Sequence, residues 1–187
     1  APAPAARVTP EEYLAFERAS PERHEYVDGD IRAMTGASWK HGLLKVAIAS
    51  ALHDQLRGRP CESFISLMRT RVPTGDYLYP DVVVAGGGSE LEDEHCDTLL
   101  NPTLVVEVLS PSTEDYDYKR KWEMYRRIPS LQDYLLVAQD EPRIARYSRF
   151  GDEGLWLFGE TTGLDAEVVL ESLGCVIRLA DVYERVL

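Results

Sequence analysis

The sequence predicts an α/β or α+β domain built on a mixed central β-sheet that is flanked by helices. Apolar residues recur at helical spacing from Trp39 to Leu56, and this pattern predicts a long helix with one buried stripe. The stretch from Thr103 to Leu109 is nearly all apolar, as expected for a central strand that is covered on both faces. Short strands separated by turn residues follow after residue 133. Helices and strands in this order favour a sheet between helical layers.

The length and charge of the chain narrow the possible functions. The 187 residues suit one domain at residues 9–187, after a short flexible arm at 1–8. A formal charge of −12 argues against a protein that coats nucleic acid through a basic surface, but it is compatible with a nucleic-acid enzyme that has a local basic patch. No apolar run approaches the roughly 18 residues of a membrane span. Cys61, Cys96 and Cys175 are too far apart to indicate a disulfide framework or a zinc site, and the start lacks a signal-peptide pattern, so a cytoplasmic location is expected.

The N-terminal third contains three local signals. Thr9 and Glu12 have the spacing of a helix capping box. Asp28-Gly29 between two short apolar runs is a hairpin signal. The predicted elements are therefore a helix from Pro10 to about Arg18, a hairpin around Asp28-Gly29, and the helix from Trp39 to Leu56.

The rest of the chain is predicted to alternate strands with one further helix. Ser112 and Asp115 have capping-box spacing and open a helix that Pro129 closes after about Ile128. The glycine-rich, acidic segment Gly86 to Asn101 is predicted to be a surface loop. The strand candidates are Ser63 to Val72, Tyr77 to Ala85, Thr103 to Leu109, Asp133 to Ala138, Arg143 to Phe150, Gly154 to Gly159 and Glu167 to Ile177, with a last helical turn at Ala180 to Val186.

Two carboxylates stand out among apolar strand residues. Glu107 lies inside Leu104–Leu109, where a charge is costly unless it is paired, hydrogen-bonded or bound to a metal. Asp81 follows Pro80 at the start of another apolar run. A solvent-facing or arginine-paired Glu107 and a turn-capping Asp81 are the plainer alternatives. If the two strands are neighbours, however, both carboxylates converge on a site of the kind that Mg²⁺ or Mn²⁺ prefers.

A polar stripe on the following helix could complete such a site. Asp117, Lys121 and Tyr125 are four residues apart and therefore share one helix face. Asp117 and Lys121 could also be an ordinary surface pair, and Tyr125 could simply pack in the core. Close to the two carboxylates, a lysine could orient an attacking water or stabilise the charge of a phosphorane-like transition state.

Three blocks of the sequence together resemble a known family. They are Tyr79-Pro80-Asp81-Val82-Val83-Val84, Leu104 to Thr113 with Glu107-Val108-Leu109-Ser110-Pro111 at its centre, and Asp117-x-x-x-Lys121-x-x-x-Tyr125 followed by Pro129 to Val137. They resemble the Uma2 family, described as restriction endonucleases of the PD-(D/E)XK nuclease superfamily, over about residues 9 to 186. The early Glu25-Tyr26-Val27-Asp28-Gly29-Asp30 and His41 are similar to that family as well.

This resemblance implies a restriction-endonuclease-like core and cleavage of DNA phosphodiester bonds. It implies that Asp81, Glu107 and the backbone carbonyl of Val108 bind Mg²⁺ or Mn²⁺. Leu109 occupies the position where the superfamily pattern has a lysine, and Lys121 matches the place to which the family moves it. Glu25 is a candidate additional acid near the metal, and His41 could contact a substrate phosphate or hold Glu25. For both, a purely structural role is the alternative.

The sequence also suggests which basic residues contact DNA and how the chain assembles. Arg69 and Arg71 share one strand face, and Lys119 and Arg120 belong to a basic helical run, so these four residues are predicted to contact the DNA backbone. Solvated surface charges are the alternative for each cluster. Cleavage of two strands favours a homodimer. The rival hypothesis is a dimeric binding or scaffold protein that keeps the nuclease fold without activity, and the sequence does not separate DNA from RNA as substrate.

Overall fold

The computed structural model describes residues 7–34, 36–151 and 154–187 and has an α+β architecture. Its helices are α1 (Pro10–Ala19), α2 (Trp39–Leu56), α3 (Glu114–Tyr116), α4 (Trp122–Tyr125) and α5 (Leu179–Tyr183), with a π-helical segment at Asp117–Lys121 between α3 and α4. Its strands are β1 (His24–Val27), β2 (Asp30–Ala33), β3 (Cys61–Ile65), β4 (Arg69–Arg71), β5 (Tyr77–Leu78), β6 (Val82–Gly86), β7 (Thr98–Leu99), β8 (Leu104–Val108), β9 (Asp133–Val137), β10 (Arg143–Phe150), β11 (Leu155–Thr162), β12 (Glu167–Leu170) and β13 (Cys175–Arg178). No helix in these ranges is long and apolar enough to cross a membrane.

The largest sheet has six strands in the order β11-β10-β9-β8-β6-β3. All its neighbours pair antiparallel except β8 and β9, which are parallel, so the sheet is mixed as the sequence predicts. The five residues of β8 are all buried. Val82 and Val106 belong to the core that α2, α5 and the β12–β13 hairpin cover, whereas Val83 and Val105 belong to a second core that contains Trp122. The central strand is therefore covered on both faces.

A smaller sheet stands beside the first one, with the order β2-β1-β5-β4-β7. Helix α1 packs on it through Tyr13, whose ring stacks on that of Tyr26. Thr9 and Glu12 form the predicted capping box at the start of α1. Part of the predicted arm at 1–8 lies outside the described residues, but the backbone amide of Val8 donates to the carbonyl of Gly29 on the hairpin.

Two of the predicted strands are each divided in the structure into two strands that belong to different sheets. The predicted strand Ser63 to Val72 is interrupted at Ser66, which has a φ of +49°, so β3 joins the large sheet and β4 the small one. The predicted strand Tyr77 to Ala85 is interrupted at Pro80, because proline has no amide to donate to a strand ladder. The break at Ser66 carries the chain from the large sheet to the small one, and the break at Pro80 returns it to the large sheet directly before Asp81.

The remaining differences concern loops and helix ends. The predicted loop Gly86 to Asn101 contains the buried strand β7. Ser112 does not cap the following helix, which has Thr113 at its N-cap position without a side-chain capping bond. That helix ends at Tyr125, earlier than predicted, and it contains a π-helical segment. The predicted strand Glu167 to Ile177 is a hairpin of two strands, β12 and β13.

Candidate active site

A cavity of about 830 Å³ opens where β6 begins and β8 ends. It collects side chains from the hairpin β1–β2, from α2, from both strands and from the π-helical segment. The sequence-predicted residues that line it are Glu25, His41, Asp81, Glu107, Val108, Asp117 and Lys121. The topology therefore brings together groups that are up to 96 positions apart in the sequence, from Glu25 to Lys121.

The pairing of β6 with β8 places Asp81 beside Glu107. Val82 is opposite Val106 in this antiparallel ladder, so the next pair outward is Asp81 and Glu107. Directly opposite side chains share a sheet face, with Cβ atoms about 4.5–5.5 Å apart. Both residues are buried, with 7% of Asp81 and 3% of Glu107 exposed. The prediction that two strands bring these carboxylates together agrees with this register.

Glu107 is buried but not unpaired. Its Oε1 accepts hydrogen bonds from Lys121 Nζ at 2.9 Å and from the Tyr125 hydroxyl at 3.0 Å. Burial raises the pKa of Glu107 well above its usual range, and nearby carboxylates such as Asp117 add to this effect while the Lys121 ammonium opposes it. Tyr125 is fully buried, so it packs in the core and also orients Glu107.

Lys121 lies at the centre of a group of carboxylates. Its Nζ is 2.9 Å from Glu107 Oε1, 3.3 Å from Glu25 Oε1 and 3.4 Å from Asp117 Oδ1. Burial alone would lower the pKa of Lys121, but Glu107, Glu25 and Asp117 hold it well above the usual value. The ammonium therefore stays charged. The π-helical segment that carries it is the kind of helix defect often found at functional sites.

Asp81 has a separate set of partners. Its Oδ1 is 2.8 Å from His41 Nε2, and its Oδ2 accepts the backbone amide of Val108 at 2.8 Å. Lys45 Nζ lies 3.8 Å from Oδ1. Burial would raise the pKa of Asp81, but the His41 contact and the amide of Val108 lower it below its usual value. His41 thus contacts Asp81, not Glu25 as one prediction had it.

Asp117 provides a test of whether a cation fits this cavity. Its Oδ1 is shielded from solvent, and apart from the ion-pair contact with Lys121 Nζ at 3.4 Å it has no hydrogen-bond partner among residues 7–34, 36–151 and 154–187. Burial raises the pKa of Asp117, although Lys121 opposes the shift. The buried side chains of the cavity include four carboxyl groups (Glu25, Asp81, Glu107 and Asp117) and one ammonium group (Lys121), whereas the arginines that line it are exposed, so the buried part of the site can accept further positive charge.

The donor set matches magnesium better than a metal that needs a closed protein cage. In the described part of the chain, no three His, Cys, Asp or Glu side chains are placed to hold an ion by themselves. Mg²⁺ usually takes one or two carboxylates and keeps water or substrate phosphate as its other ligands. Asp81 and Glu107, neighbours across two strands, supply the two carboxylates of such a site.

The four predicted DNA contacts lie outside the cavity lining. Arg69 is 1% exposed and pairs with Asp97, so the prediction that it reaches substrate is wrong: its guanidinium is part of the folded interior. Arg71 pairs with Glu92. Lys119 and Arg120 are exposed and pair with Asp115 and Asp28.

The cavity has other basic residues that the sequence argument missed. Arg23, Arg32 and Lys45 line it. Lys45 follows His41 by four residues on α2, so helical spacing could have placed both on one face. Arg32 is directly opposite Glu25 in the hairpin, which the Asp28-Gly29 turn could have indicated. Lys45 Nζ also donates to the Ser66 hydroxyl at 2.9 Å.

Three kinds of comparison relate this chain to known proteins. A family model described as "Uma2: Putative restriction endonuclease" matches residues 10–180. Two proteins of Synechocystis sp., both described as uncharacterized, are 38% identical over 97% of this chain and 94% of the relative, and 36% identical over 86% and 91%. A crystal structure described as "a putative nuclease belonging to DUF820" from Anabaena variabilis superposes with a TM-score of 0.77 at 20% identity, covering 96% of this chain and 99% of that one. At that identity, the last similarity establishes the fold alone.

Proposed function

The chain belongs to the Uma2 family of restriction-endonuclease-like proteins, and from this premise we propose that it is a metal-dependent endonuclease that hydrolyses phosphodiester bonds of DNA. One observation carries the proposal: Asp81 and Glu107 are neighbours across two strands, and the Lys121 ammonium is 2.9 Å from Glu107 in the same cavity. A plain structural ion pair would need one carboxylate for one ammonium. Here several carboxylates converge, which is the arrangement of a site built for additional cations.

The residues that would hold Mg²⁺ or Mn²⁺ are Asp81 and Glu107, together with the backbone carbonyl of Val108. Such an ion, when bound, lowers the pKa of a coordinated water and polarises the phosphate that is attacked. His41 and the amide of Val108 fix the orientation of Asp81 through both of its oxygens. The Tyr125 hydroxyl and the Lys121 ammonium both donate to one oxygen of Glu107, Oε1. These supporting contacts restrict the rotation of both carboxylates.

Lys121 supplies the positive charge that the protein itself brings to the reaction. Its N–H donors can orient the attacking water or contact an oxygen of the phosphate, whose negative charge grows in the transition state. Glu25 and Asp117 position Lys121, since both of their carboxylates lie within 3.4 Å of its Nζ. Because Lys121 comes from the helix after β8, Leu109 does not need to provide the amine.

A cleavage assay tests the proposal directly. Plasmid and oligonucleotide DNA are incubated with Mg²⁺ or Mn²⁺ and with wild type, Asp81→Asn, Glu107→Gln or Lys121→Ala. We expect each substitution to lower the rate by about 100-fold or more, as for the loss of a group that stabilises the transition state. Asp54→Asn, an exposed aspartate at the far end of α2, is the control with the same loss of charge. Undiminished cleavage by Asp81→Asn and Glu107→Gln contradicts the mechanism.

The same preparations test metal binding, substrate choice and assembly. Isothermal titration with Mn²⁺ should show binding by wild type and weaker binding by Asp81→Asn, independently of turnover. RNA oligonucleotides of matching sequence test the preference for DNA. Light scattering tests the homodimer, which we propose because two strands need two sites. A wild type that binds DNA but cleaves nothing supports the alternative of a silent binding or scaffold protein.

A further inference from the structure

One face of the β1–β2 hairpin forms a wall of the cavity. Arg32 is directly opposite Glu25 in the antiparallel ladder, and Arg23 precedes Glu25 by two residues. Alternation along a strand puts such residues on the same face, and all three line the cavity. The ring of Tyr26 packs instead with Tyr13 under α1. The hairpin therefore has a structural face and a cavity face, and the cavity face carries two arginines around one carboxylate.

Both arginines are held in place but remain open to a ligand. Arg23 and Arg32 are exposed. The Arg23 guanidinium lies over the ring of Tyr79 at 5.9 Å, and that of Arg32 lies over Tyr116 at 5.8 Å. These are cation–π distances, and a stacked guanidinium keeps its N–H donors for other partners. Neither arginine forms an ion pair within residues 7–34, 36–151 and 154–187.

Several other basic side chains are already paired. Arg120 is paired with Asp28 at the turn of the same hairpin, and Lys119 is paired with Asp115. Arg143 contacts Glu141, Glu160 and the Tyr118 hydroxyl. In a chain with a net charge of −12, two unpaired guanidinium groups at the mouth of an acidic cavity are an unusual local arrangement.

The charges are also arranged by depth. Glu107 and Asp117 are almost fully buried in the cavity, whereas Arg23 and Arg32 are exposed at its mouth. Buried carboxylates repel a phosphate, so an anionic polymer needs cations outside the metal site to approach it. Guanidinium groups are suited to that task because their paired donors match the geometry of phosphate oxygens.

We infer that the β1–β2 hairpin binds the substrate strand, with Arg23 and Arg32 contacting phosphate groups next to the bond that is cleaved. This inference rests on the proposed function and extends it to how the substrate is held. Arg23 and Arg32 are on a diagonal of the ladder, where side chains are about 7–8 Å apart, so two long side chains can reach neighbouring phosphates of one strand. Glu25, between them, connects the hairpin to Lys121.

The test measures binding separately from cleavage. A short fluorescein-labelled single-stranded DNA is titrated with wild type, Arg23→Gln, Arg32→Gln and the double variant, using fluorescence anisotropy in Ca²⁺ at several salt concentrations. We expect each substitution to weaken binding about tenfold, as for a lost hydrogen bond to a charged group. The slope of log K against log salt should fall by about 0.7 for each phosphate contact that is removed.

A matched control removes the same charge elsewhere. Arg57 and Arg185 are exposed and do not line the cavity, so Arg57→Gln/Arg185→Gln has the same net charge as the double hairpin variant. We expect the control to keep the wild-type salt slope. If the hairpin variant has the slope and affinity of the control, or if wild type does not bind the strand at all, the inference is overturned.

The outcome is distinguishable from failure of the proposed function. Arg32→Gln keeps the carboxylates and Lys121, so in Mg²⁺ or Mn²⁺ it should raise KM more than it lowers kcat. A wild type that binds the strand through the hairpin without cleaving it contradicts the nuclease proposal and supports the hairpin inference. If wild type cleaves DNA normally while the hairpin variants bind it as tightly as wild type, the result supports the nuclease proposal and contradicts the hairpin inference.

Discussion

Two regions of the molecule bring charged side chains together, and they balance these charges differently. At the end of α1, Arg18 pairs with Asp93 and Asp97 and Arg69 pairs with Asp97, so each of these two carboxylates has a cationic partner. A hydrogen bond from Arg18, with help from Arg69 and against the effect of partial burial, holds the pKa of Asp97 well below its usual range. In the cavity, by contrast, burial raises the pKa of Asp117.

This difference separates a structural ion network from a candidate active site. A network that only stabilises the fold gains by pairing each carboxylate with a cation. The buried part of the cavity instead holds four carboxyl groups and one ammonium group, which costs stability unless a further cation binds. Perturbed pKa values occur in both regions, and the pKa of Asp81 is lowered like that of Asp97, so the raised pKa values of Glu107 and Asp117 are the feature that distinguishes the cavity.

The largest expected effect comes from removing the central ammonium. Lys121→Met leaves Glu25, Glu107 and Asp117 without their shared partner, so in EDTA we expect about 3–5 kcal/mol less stability in urea unfolding. Mn²⁺ should then raise the Tm of Lys121→Met more than that of wild type, because a ligand of the folded state stabilises it. Arg126→Met, an exposed member of an i,i+3 pair, should change stability by less than about 1 kcal/mol. Equal stability of Lys121→Met and wild type in EDTA would falsify the view that Lys121 balances the carboxylates.

The pH dependence of stability should differ between Asp97, in the network near α1, and Asp117, in the cavity. The folded pKa of Asp97 is lowered, so its stabilising contribution is present above the unfolded pKa of about 3.9 and is lost as pH falls toward the folded value. The folded pKa of Asp117 is raised, so its contribution is largest below about 3.9 and decreases as pH rises through the folded value. The two carboxyl groups therefore predict opposite trends.

Urea unfolding of Asp97→Asn, Asp117→Asn and wild type across acidic and neutral pH measures these trends. The advantage of wild type over Asp97→Asn should grow as pH rises to about 5 and then stay constant. Its advantage over Asp117→Asn should shrink as pH rises. Parallel curves for the two variants would mean that the cavity is an ordinary ion network. Only Asp117→Asn should also slow DNA cleavage.

The sequence was most informative where a local pattern carried the chemistry. Glu107, alone in an apolar strand, and Lys121, at helical spacing from Asp117, could be identified as candidates without knowledge of distant contacts. The pairing of Asp81 with Glu107 depended on strand order, which the resemblance supplied. The large mixed sheet followed from strand composition, and the α1 capping box and the hairpin turn followed from short motifs.

Other features depend on tertiary contacts that no short pattern reports. Arg69 and Arg71 alternate as surface strand residues would, yet Arg69 is buried because Asp97 approaches from a loop 28 positions later. The π-helical segment could not be predicted from the sequence either, because the capping-box spacing of Ser112 and Asp115 predicts an ordinary helix. Arg32 gains a role only when the hairpin register places it opposite Glu25.

The smallest expected effect concerns two neighbouring tyrosines on the helix after β8. The Tyr116 hydroxyl is shielded from solvent and has no hydrogen-bond partner in the described part of the chain, whereas the Tyr118 hydroxyl accepts a hydrogen bond from Arg143 at 3.0 Å. Removing an unpaired buried hydroxyl removes a desolvation cost, so Tyr116→Phe should leave the Tm unchanged or raise it. Tyr118→Phe should cost about 1 kcal/mol. Thermal unfolding checks both, and a lower Tm for Tyr116→Phe than for Tyr118→Phe would show that the Tyr116 hydroxyl stabilises the folded protein.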